Sequence, residues 1–400
     1  MAREYSLDNI RAFHAQVSIA NWDKPGEIMR YAFLRMPEFF HHAVIERDGP
    51  VSVLASEPDD ALPGTRVRTP LGEMALDAYV QRGPVNGVVI VRNGVVVYER
   101  YPRMRPNDRH LLMSVSKVFA SALVAIFEDR GLLDTALGIE TYLPEVSASG
   151  WAGVSIRDVL DMASGIDCDQ TLPDVYTNSD RAYYRFEESL DWLPPVHPPV
   201  AHWEYLAELG RAKQPGLAFD YSSANTAMLA WLVEKISGKG LADLISAELW
   251  GRIGAEGDAL ITISSHGATA IHGGISARLR DVARFGLLFT PSWQVVSDTP
   301  IVSERHLAAI QHGGRPEIFD KGATGQRIID QLAPATPRHN SYQWDFVMPD
   351  GDFYKGGYGG QGLYISPSRD LVIAFTGTND ADGNESGMMS IAQQISARSG

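Results

Sequence analysis

Residues 109–117 read RHLLMSVSK and run directly into an apolar segment, residues 118–130, that ends at Gly131. The spacing of apolar residues in that segment predicts a helix, and glycine is common just past a helix C-terminus. Ser114 and Lys117 therefore stand three residues apart at the start of a helix. Residues at this spacing share one helix face, so we expect the hydroxyl and the amine to come within hydrogen-bonding distance.

A lysine must lose its proton before it can act as a base, and its ordinary pKa is about 10.4. Burial and the positive end of the helix dipole both favour the neutral amine. A decrease of this pKa to about 7 corresponds to about 4–5 kcal/mol, which burial can supply. We predict Ser114 as a nucleophile, Lys117 as its base and the Ser114 backbone N–H as a donor to a developing oxyanion. The apolar cover is expected from Leu112, Met113, Val118 and Phe119.

A second segment, residues 219–225, reads FDYSSAN and precedes a periodic run, residues 226–236, that ends before Gly238. Its pattern predicts a helix with Tyr221 at the loop-to-helix junction. From there the phenol can carry a proton between Ser114, Lys117 and a leaving group, and a neighbouring ammonium is expected to lower its pKa. In the alternative interpretation Tyr221 only packs, and Ser222 or Ser223 caps the helix.

A third segment, residues 355–361, reads KGGYGGQ and is followed by two apolar runs, residues 363–367 and 371–375. These runs predict a β-hairpin. Glycines in a strand let another backbone or a ligand approach closely, so this edge can supply a second oxyanion donor and bind an extended substrate. The alternative is a glycine-rich hairpin or bulge with no further role.

The three segments in this order resemble the serine β-lactamase and penicillin-recognising superfamily, which carries a Ser-x-x-Lys signature. Within it the chain looks most like the class C-type branch of carboxylesterases and 6-aminohexanoate-dimer hydrolases. The most specific matches are residues 108–117, 154–166, 221–238 and 271–285. The resemblance extends from about Val85 to Phe375, and the stretch before about Gly83 matches no motif.

The resemblance implies roles for individual residues. Ser114 is implied as the acylated nucleophile, Lys117 as its base and Tyr221 as the general acid/base. The segment led by Lys355 is implied to place the Tyr358 amide in the oxyanion hole with the Ser114 amide. Substrate contacts are implied for Ser223, Lys355 and Gly357. A shifted register, with Tyr358, Gly359 and Gly360 as the motif and Gln361 as the donor, stays open.

One loop departs from the resemblance. The 6-aminohexanoate-dimer hydrolases carry a tyrosine that assists amide turnover, whereas residues 168–172 here contain none and the first tyrosine is Tyr176. We therefore expect cleavage of small esters first and of linear amides second. The third segment lacks the hydroxyl usual in β-lactamases, which disfavours β-lactams. A relative that only binds a ligand in the same cleft is the alternative from a different class.

The resemblance implies an α/β (α+β) fold of the β-lactamase/transpeptidase type, with an antiparallel sheet flanked by helices and a mostly helical inserted domain. A hairpin is predicted over residues 85–101, around Arg92-Asn93-Gly94, and a helix from Ser276. We expect residues 1–83 to pack on the core as an N-terminal extension. Residues 84–134 and 261–400 are expected to form a discontinuous α/β domain, with residues 135–260 mostly helical.

Composition excludes several classes of function. The net charge of −14 over 400 residues argues against nucleic acid or anionic membranes as partners. A start without an apolar stretch and a single cysteine, Cys168, favour the cytoplasm. His41 and His42 lack a third ligand at useful spacing, so neither a metal nor a cofactor is expected. The expected partner is a small-molecule ester or amide, and a homodimer is possible.

Overall fold

A computed structural model describes residues 5–398 of the chain. Its α-helices are α1 Leu7–Gln16, α2 Glu27–Leu34, α3 Leu76–Arg82, α4 Lys117–Asp129, α5 Ile156–Leu160, α6 Ala182–Glu188, α7 His202–Glu208, α8 Ser223–Ser237, α9 Leu241–Glu248, α10 Leu279–Leu287, α11 Glu304–His312, α12 Pro316–Phe319, α13 Ala323–Leu332 and α14 Met388–Ser396. Its strands are β1 His42–Ile45, β2 Arg66–Thr69, β3 Gly72–Ala75, β4 Val85–Arg92, β5 Val95–Arg100, β6 Arg109–Leu111, β7 Ala259–Thr262, β8 Ile275–Arg278, β9 His339–Ser341, β10 Trp344–Val347, β11 Phe353–Gly357, β12 Gln361–Ser366 and β13 Leu371–Gly377.

The central sheet is antiparallel and has the strand order β5-β4-β13-β12-β11-β10-β9. Its first hairpin turns at Asn93 and Gly94, which have positive φ values of 52° and 74°. Two such residues make the tight turn that matches the twist of a hairpin. The second predicted hairpin joins β12 to β13, with Leu363 opposite Ala374. Both hairpins and the expected antiparallel sheet are confirmed.

Both faces of this sheet are covered, and β4 shows how. Val89 and Val91 belong to the same apolar cluster as α4 and α10, whereas Val88 and Ile90 belong to the cluster that includes α3 and α14. Alternate residues of a strand point to opposite faces. Because each face meets helices, residues 88–91 of β4 and 371–375 of β13 form uninterrupted apolar runs rather than alternating with polar residues.

Helix α4 lies in the core, and its residues from Lys117 to Phe127 are buried. Phe119 stacks on Phe285 of α10, with ring centroids 4.1 Å apart. Gly286 lets α10 approach the sheet, since a Cβ there would lie 2.6 Å from Cγ1 of Val372. The start of α4 is therefore held against the central sheet through α10.

A second antiparallel sheet has the order β1-β7-β8-β6. The helix expected from Ser276 is wrong at its start, because residues 275–278 form β8 and α10 begins only at Leu279. Strand β8 pairs with both β6 and β7, and this pairing decides the local conformation. Strand β6 then leads directly into the turn that carries Ser114.

Part of the N-terminal stretch packs against the main core. Trp22, Met29, Phe33 and Ile45 are buried in the cluster that contains α4, and β1 pairs with β7. The elements from Ile139 to Arg252 are all helical. The domain boundaries given above stay predictions. Within residues 5–398, no helix combines the length and the apolar character needed to cross a membrane.

Phe285→Ala is expected to lower the free energy of unfolding by about 3–5 kcal/mol, because it removes the ring that joins α4 to α10 and leaves a cavity. Urea unfolding followed by circular dichroism measures this loss. Phe285→Leu keeps most of the apolar volume and is the matched control, with a smaller expected loss. Equal losses for the two variants would show that the ring contact is not what stabilises this junction.

Candidate active site

Ser114 lies on a 3-10 turn, Met113–Ser116, and α4 begins at Lys117 itself. In a 3-10 turn residues three apart eclipse each other, so the predicted shared face is present although the turn is not α-helical. The Lys117 Nζ lies 3.2 Å from the Ser114 Oγ. Met113 has a φ of 46°, a conformation costly for a residue with a side chain and found mostly where function requires it.

The Lys117 amine is surrounded by neutral oxygens. Its Nζ lies 3.0 Å from the Ser223 Oγ and 2.6 Å from the His272 carbonyl oxygen, and the residue has 0% exposure. Burial holds the pKa of Lys117 well below its ordinary value, and the Lys355 charge lowers it further. The opposing effects of Glu187 and Asp345 are smaller. Burial therefore favours the neutral amine at Lys117, beside the Ser114 hydroxyl.

Tyr221 lies between two lysines. Its ring centroid is 5.4 Å from the Lys117 Nζ and 4.7 Å from the Lys355 Nζ. Its hydroxyl accepts a hydrogen bond of 2.9 Å from Lys355 and also bonds to the Ser114 hydroxyl. The cap of α8 is Ser222, whose hydroxyl accepts from the Ala224 N–H. The cap and the site-facing phenol thus coexist at this junction.

The expected fall of the Tyr221 pKa is wrong. Burial raises this pKa above its ordinary value, and the neighbouring Lys355 charge opposes that effect without overcoming it. Desolvation penalises the phenolate more than one ammonium stabilises it. The raised pKa therefore favours the protonated phenol of Tyr221 over a resting phenolate.

Lys355 has the opposite charge state to Lys117 although both are buried. Its ammonium donates to the Asp345 carboxylate, which also accepts from the Gly356 N–H at 2.8 Å. The pKa of Lys355 is raised: burial is the largest single effect and lowers it, but the Asp345 charge, Tyr221 and the hydrogen bonds to both together outweigh burial. The pKa values of the two lysines on either side of Tyr221 are thus shifted in opposite directions, a separation typical of acid/base sites.

Gly357 ends β11 directly beside the nucleophile turn. A Cβ there would lie 2.5 Å from the Leu112 carbonyl oxygen and 3.0 Å from the Ser114 nitrogen. Gly359 and Gly360 instead form the hairpin turn, with φ values of 86° and 89°. Gln361 lies on the returning strand opposite Gly357. The geometry therefore brings Gly357, in the register led by Lys355, next to Ser114, and the choice of the second oxyanion donor stays a prediction.

Three further residues from the sequence analysis are Ser223, Lys355 and Cys168. Ser223 and Lys355 contact Lys117 and Tyr221 respectively, so their roles in holding substrate stay predictions. Cys168 is buried, and burial raises the pKa of its thiol, which makes it a poor nucleophile. Among residues 5–398, no three or more His, Cys, Asp or Glu side chains are grouped as a metal site requires.

Sequence reasoning missed several site residues. They are Asp345, Gln170, Tyr183, Glu187 and the carbonyl of His272. A usable sign existed for Asp345, the one acid in the apolar strand Trp344–Val347. Phe346 pairs with Tyr354, so the next position in register sets Asp345 opposite Lys355.

Comparisons with known proteins show the family of this chain and its likeness to solved structures. Residues 75–394 match the Beta-lactamase family. The 6-aminohexanoate-dimer hydrolase of Paenarthrobacter ureafaciens is 30% identical over 350 residues, covering 86% of this chain and 84% of that protein. A candidate 6-aminohexanoate-dimer hydrolase from Bacillus anthracis superposes with a TM-score of 0.79 at 22% identity, over 96% of this chain and 97% of that one. A family VIII carboxylesterase superposes with a TM-score of 0.57 at 17% identity, over 81% and 96% of the two chains.

The match over residues 75–394 defines the class: the protein is a serine hydrolase of the β-lactamase fold. More particularly, this chain belongs to the Beta-lactamase family and is related to the 6-aminohexanoate-dimer hydrolase of Paenarthrobacter ureafaciens.

Lys355→Met is expected to move the acid limb of the pH profile of kcat/KM to higher pH by about one unit. Activity needs neutral Lys117 and so rises as pH passes its pKa. Removing the Lys355 charge raises that pKa, and the unpaired Asp345 carboxylate acts in the same direction. Ester hydrolysis followed from pH 5 to 9 measures the limb.

The matched control is Lys321→Met, which removes the same charge from an exposed side chain and should leave the limb in place. An unmoved limb in Lys355→Met, or one at lower pH, would contradict the electrostatic account of Lys117.

Proposed function

We propose that this protein hydrolyses small carboxylic esters through a covalent acyl-enzyme on Ser114, with Lys117 as base and Tyr221 as general acid/base. The observation that carries the proposal is the buried Lys117 amine 3.2 Å from the Ser114 hydroxyl, with its pKa held well below the ordinary value. A serine is activated when an adjacent base takes its proton. A relative that only bound a ligand would have no need for a neutral lysine in this position.

In acylation, the Ser114 Oγ attacks the ester carbonyl carbon and its proton passes to the Lys117 Nζ. The oxyanion accepts hydrogen bonds from the Ser114 and Tyr358 amides. As the carbon–oxygen bond to the leaving group breaks, Tyr221 donates its proton to the leaving oxygen, and the Lys355 ammonium stabilises the phenolate. The proton held by Lys117 then restores the phenol.

In deacylation the same groups work in reverse. Water attacks the acyl carbon while the neutral Lys117–Tyr221 pair takes one of its protons. The bond to the Ser114 oxygen breaks, and that oxygen recovers a proton from the pair. The products are a carboxylic acid and the free enzyme, so the cycle needs no metal and no cofactor.

Treatment with a fluorophosphonate and intact-mass analysis tests the proposal. The wild-type protein is expected to gain one phosphonyl group, and Ser114→Ala is expected to gain none, since the adduct forms only on the activated hydroxyl. Ser116→Ala, which removes a buried hydroxyl two residues away, is the matched control and should still be labelled. A wild-type protein that stays unlabelled would support the non-catalytic alternative.

Amide hydrolysis is the second candidate, and the 30% identical 6-aminohexanoate-dimer hydrolase favours it. Residues 168–172 lack a tyrosine, but Tyr176 lies with its ring centroid 5.6 Å from that of Tyr183, whose hydroxyl reaches the Ser223 Oγ at 3.2 Å. A loop phenol is therefore present near the site, although it comes from a later position.

A pair of substrates with one acyl group, an ester and the matching linear amide, separates the two candidates. We expect kcat/KM for the ester to exceed that for the amide by at least about 100-fold, because an amine leaves only after it is protonated. A 6-aminohexanoyl ester and the 6-aminohexanoate linear dimer form such a pair. Equal or inverted values would make the amide the better description of the substrate.

A further inference from the structure

Gln170 contacts the site without touching the nucleophile. Its side-chain oxygen accepts two hydrogen bonds from Ser223, one from the N–H and one from the hydroxyl, each 2.7 Å long. A backbone N–H can only donate, so the atom that faces it must be the carbonyl oxygen of the Gln170 amide. This contact therefore settles which way the amide is turned.

The Ser223 hydroxyl can donate only one hydrogen bond, and it donates that bond to the Gln170 side-chain oxygen. The Ser223 oxygen can then only accept from the Lys117 Nζ, 3.0 Å away. Tyr183 is a second neighbour of this oxygen at 3.2 Å, but its own proton goes to the Glu187 carboxylate at 2.5 Å. Of the acceptors around Ser223, the Gln170 oxygen is the nearer and so decides the direction of the hydroxyl.

The direction of the Ser223 hydroxyl determines where the Lys117 lone pair points. A neutral amine has two N–H donors and one lone pair. The His272 carbonyl can only accept, and it takes one N–H at 2.6 Å. Because the Ser223 oxygen must also accept, the second N–H of Lys117 donates to it. The lone pair is left for the Ser114 hydroxyl.

We propose that Gln170 is a positioning residue that keeps the Lys117 lone pair on Ser114 by holding the Ser223 hydroxyl as an acceptor. The proposal rests on the proposed function, since it assumes that Lys117 is the base. Without an acceptor at position 170, the Ser223 hydroxyl can turn and donate to Lys117. Lys117 then donates to Ser114, and the nucleophile loses its base.

The test separates this role from packing by comparing two variants of Gln170. Gln170→Met keeps the length of the side chain but has no strong acceptor, and we expect fluorophosphonate labelling and p-nitrophenyl butyrate turnover to fall about 10- to 100-fold. Gln170→Glu keeps the acceptor and adds a charge near Lys117. It should retain the high-pH rate.

The pH profile gives a readout that packing alone does not move. The groups that face Lys117 are Lys355, Asp345, Glu187, Tyr221 and His272, whose pKa burial lowers. A carboxylate added at position 170 favours the Lys117 ammonium, so the acid limb of kcat/KM in Gln170→Glu should move to higher pH by about one unit. A loss in Gln170→Glu equal to that in Gln170→Met at every pH would overturn the proposal.

A double-mutant cycle with Ser223→Ala completes the test. Because Gln170 acts through the Ser223 hydroxyl, Gln170→Met should cost no further labelling rate once that hydroxyl is absent. An undiminished loss in the Ser223→Ala background would instead show that Gln170 acts by another route.

A different result would reject the proposed function itself. That result is a wild-type protein that no fluorophosphonate labels. A wild-type protein that is labelled, together with Gln170→Met labelled at the same rate, would reject only the role of Gln170.

Discussion

The proposed chemistry depends on one constraint: two buried lysines on either side of Tyr221 must hold different charge states. Lys355 has a carboxylate partner, Asp345, and stays an ammonium. Lys117 bonds to neutral oxygens of Ser114, Ser223 and His272, and burial favours its neutral amine. The burial comes from the core itself, because α4 is enclosed by the packing that includes the Phe119–Phe285 stack. The core packing that stabilises the fold therefore also lowers the pKa of Lys117.

The same constraint explains why three distant segments must meet. The Ser114 turn follows β6, Tyr221 precedes α8, and Gly357 ends β11. The absence of a side chain at Gly357 lets β11 approach the Ser114 backbone, where a Cβ would lie 3.0 Å from the nitrogen. Strand β13 lies between β4 and β12, so the C-terminal hairpins join the same sheet as the first one. The topology thus places Lys355 and a candidate oxyanion donor near Lys117.

Sequence patterns predicted what local rules decide. Asn93-Gly94 predicted a hairpin because few residues adopt positive φ, and the Ser114–Lys117 spacing predicted a shared face. Patterns failed where distant residues decide the outcome. Strand β8 forms because β6 and β7 pair with it. The Tyr221 pKa rises because of burial that its neighbours in sequence do not show. The partner of Lys355 is found only once strand register is known.

The contacts of Lys117 also bear on how little must move when a proton is transferred. The His272 carbonyl and the Ser223 oxygen accept from Lys117 whether it is an amine or an ammonium. In the proposed mechanism only the bond to Ser114 reverses: the Ser114 hydroxyl donates to the neutral amine before the transfer, and the Lys117 ammonium donates to the serine oxygen after it. A site whose dipoles already suit both states has little reorganisation to complete during the reaction, and preorganised polar groups of this kind are a main source of catalytic rate. The neutral oxygens around Lys117 therefore serve catalysis better than a carboxylate would, because a carboxylate would hold the proton on the lysine.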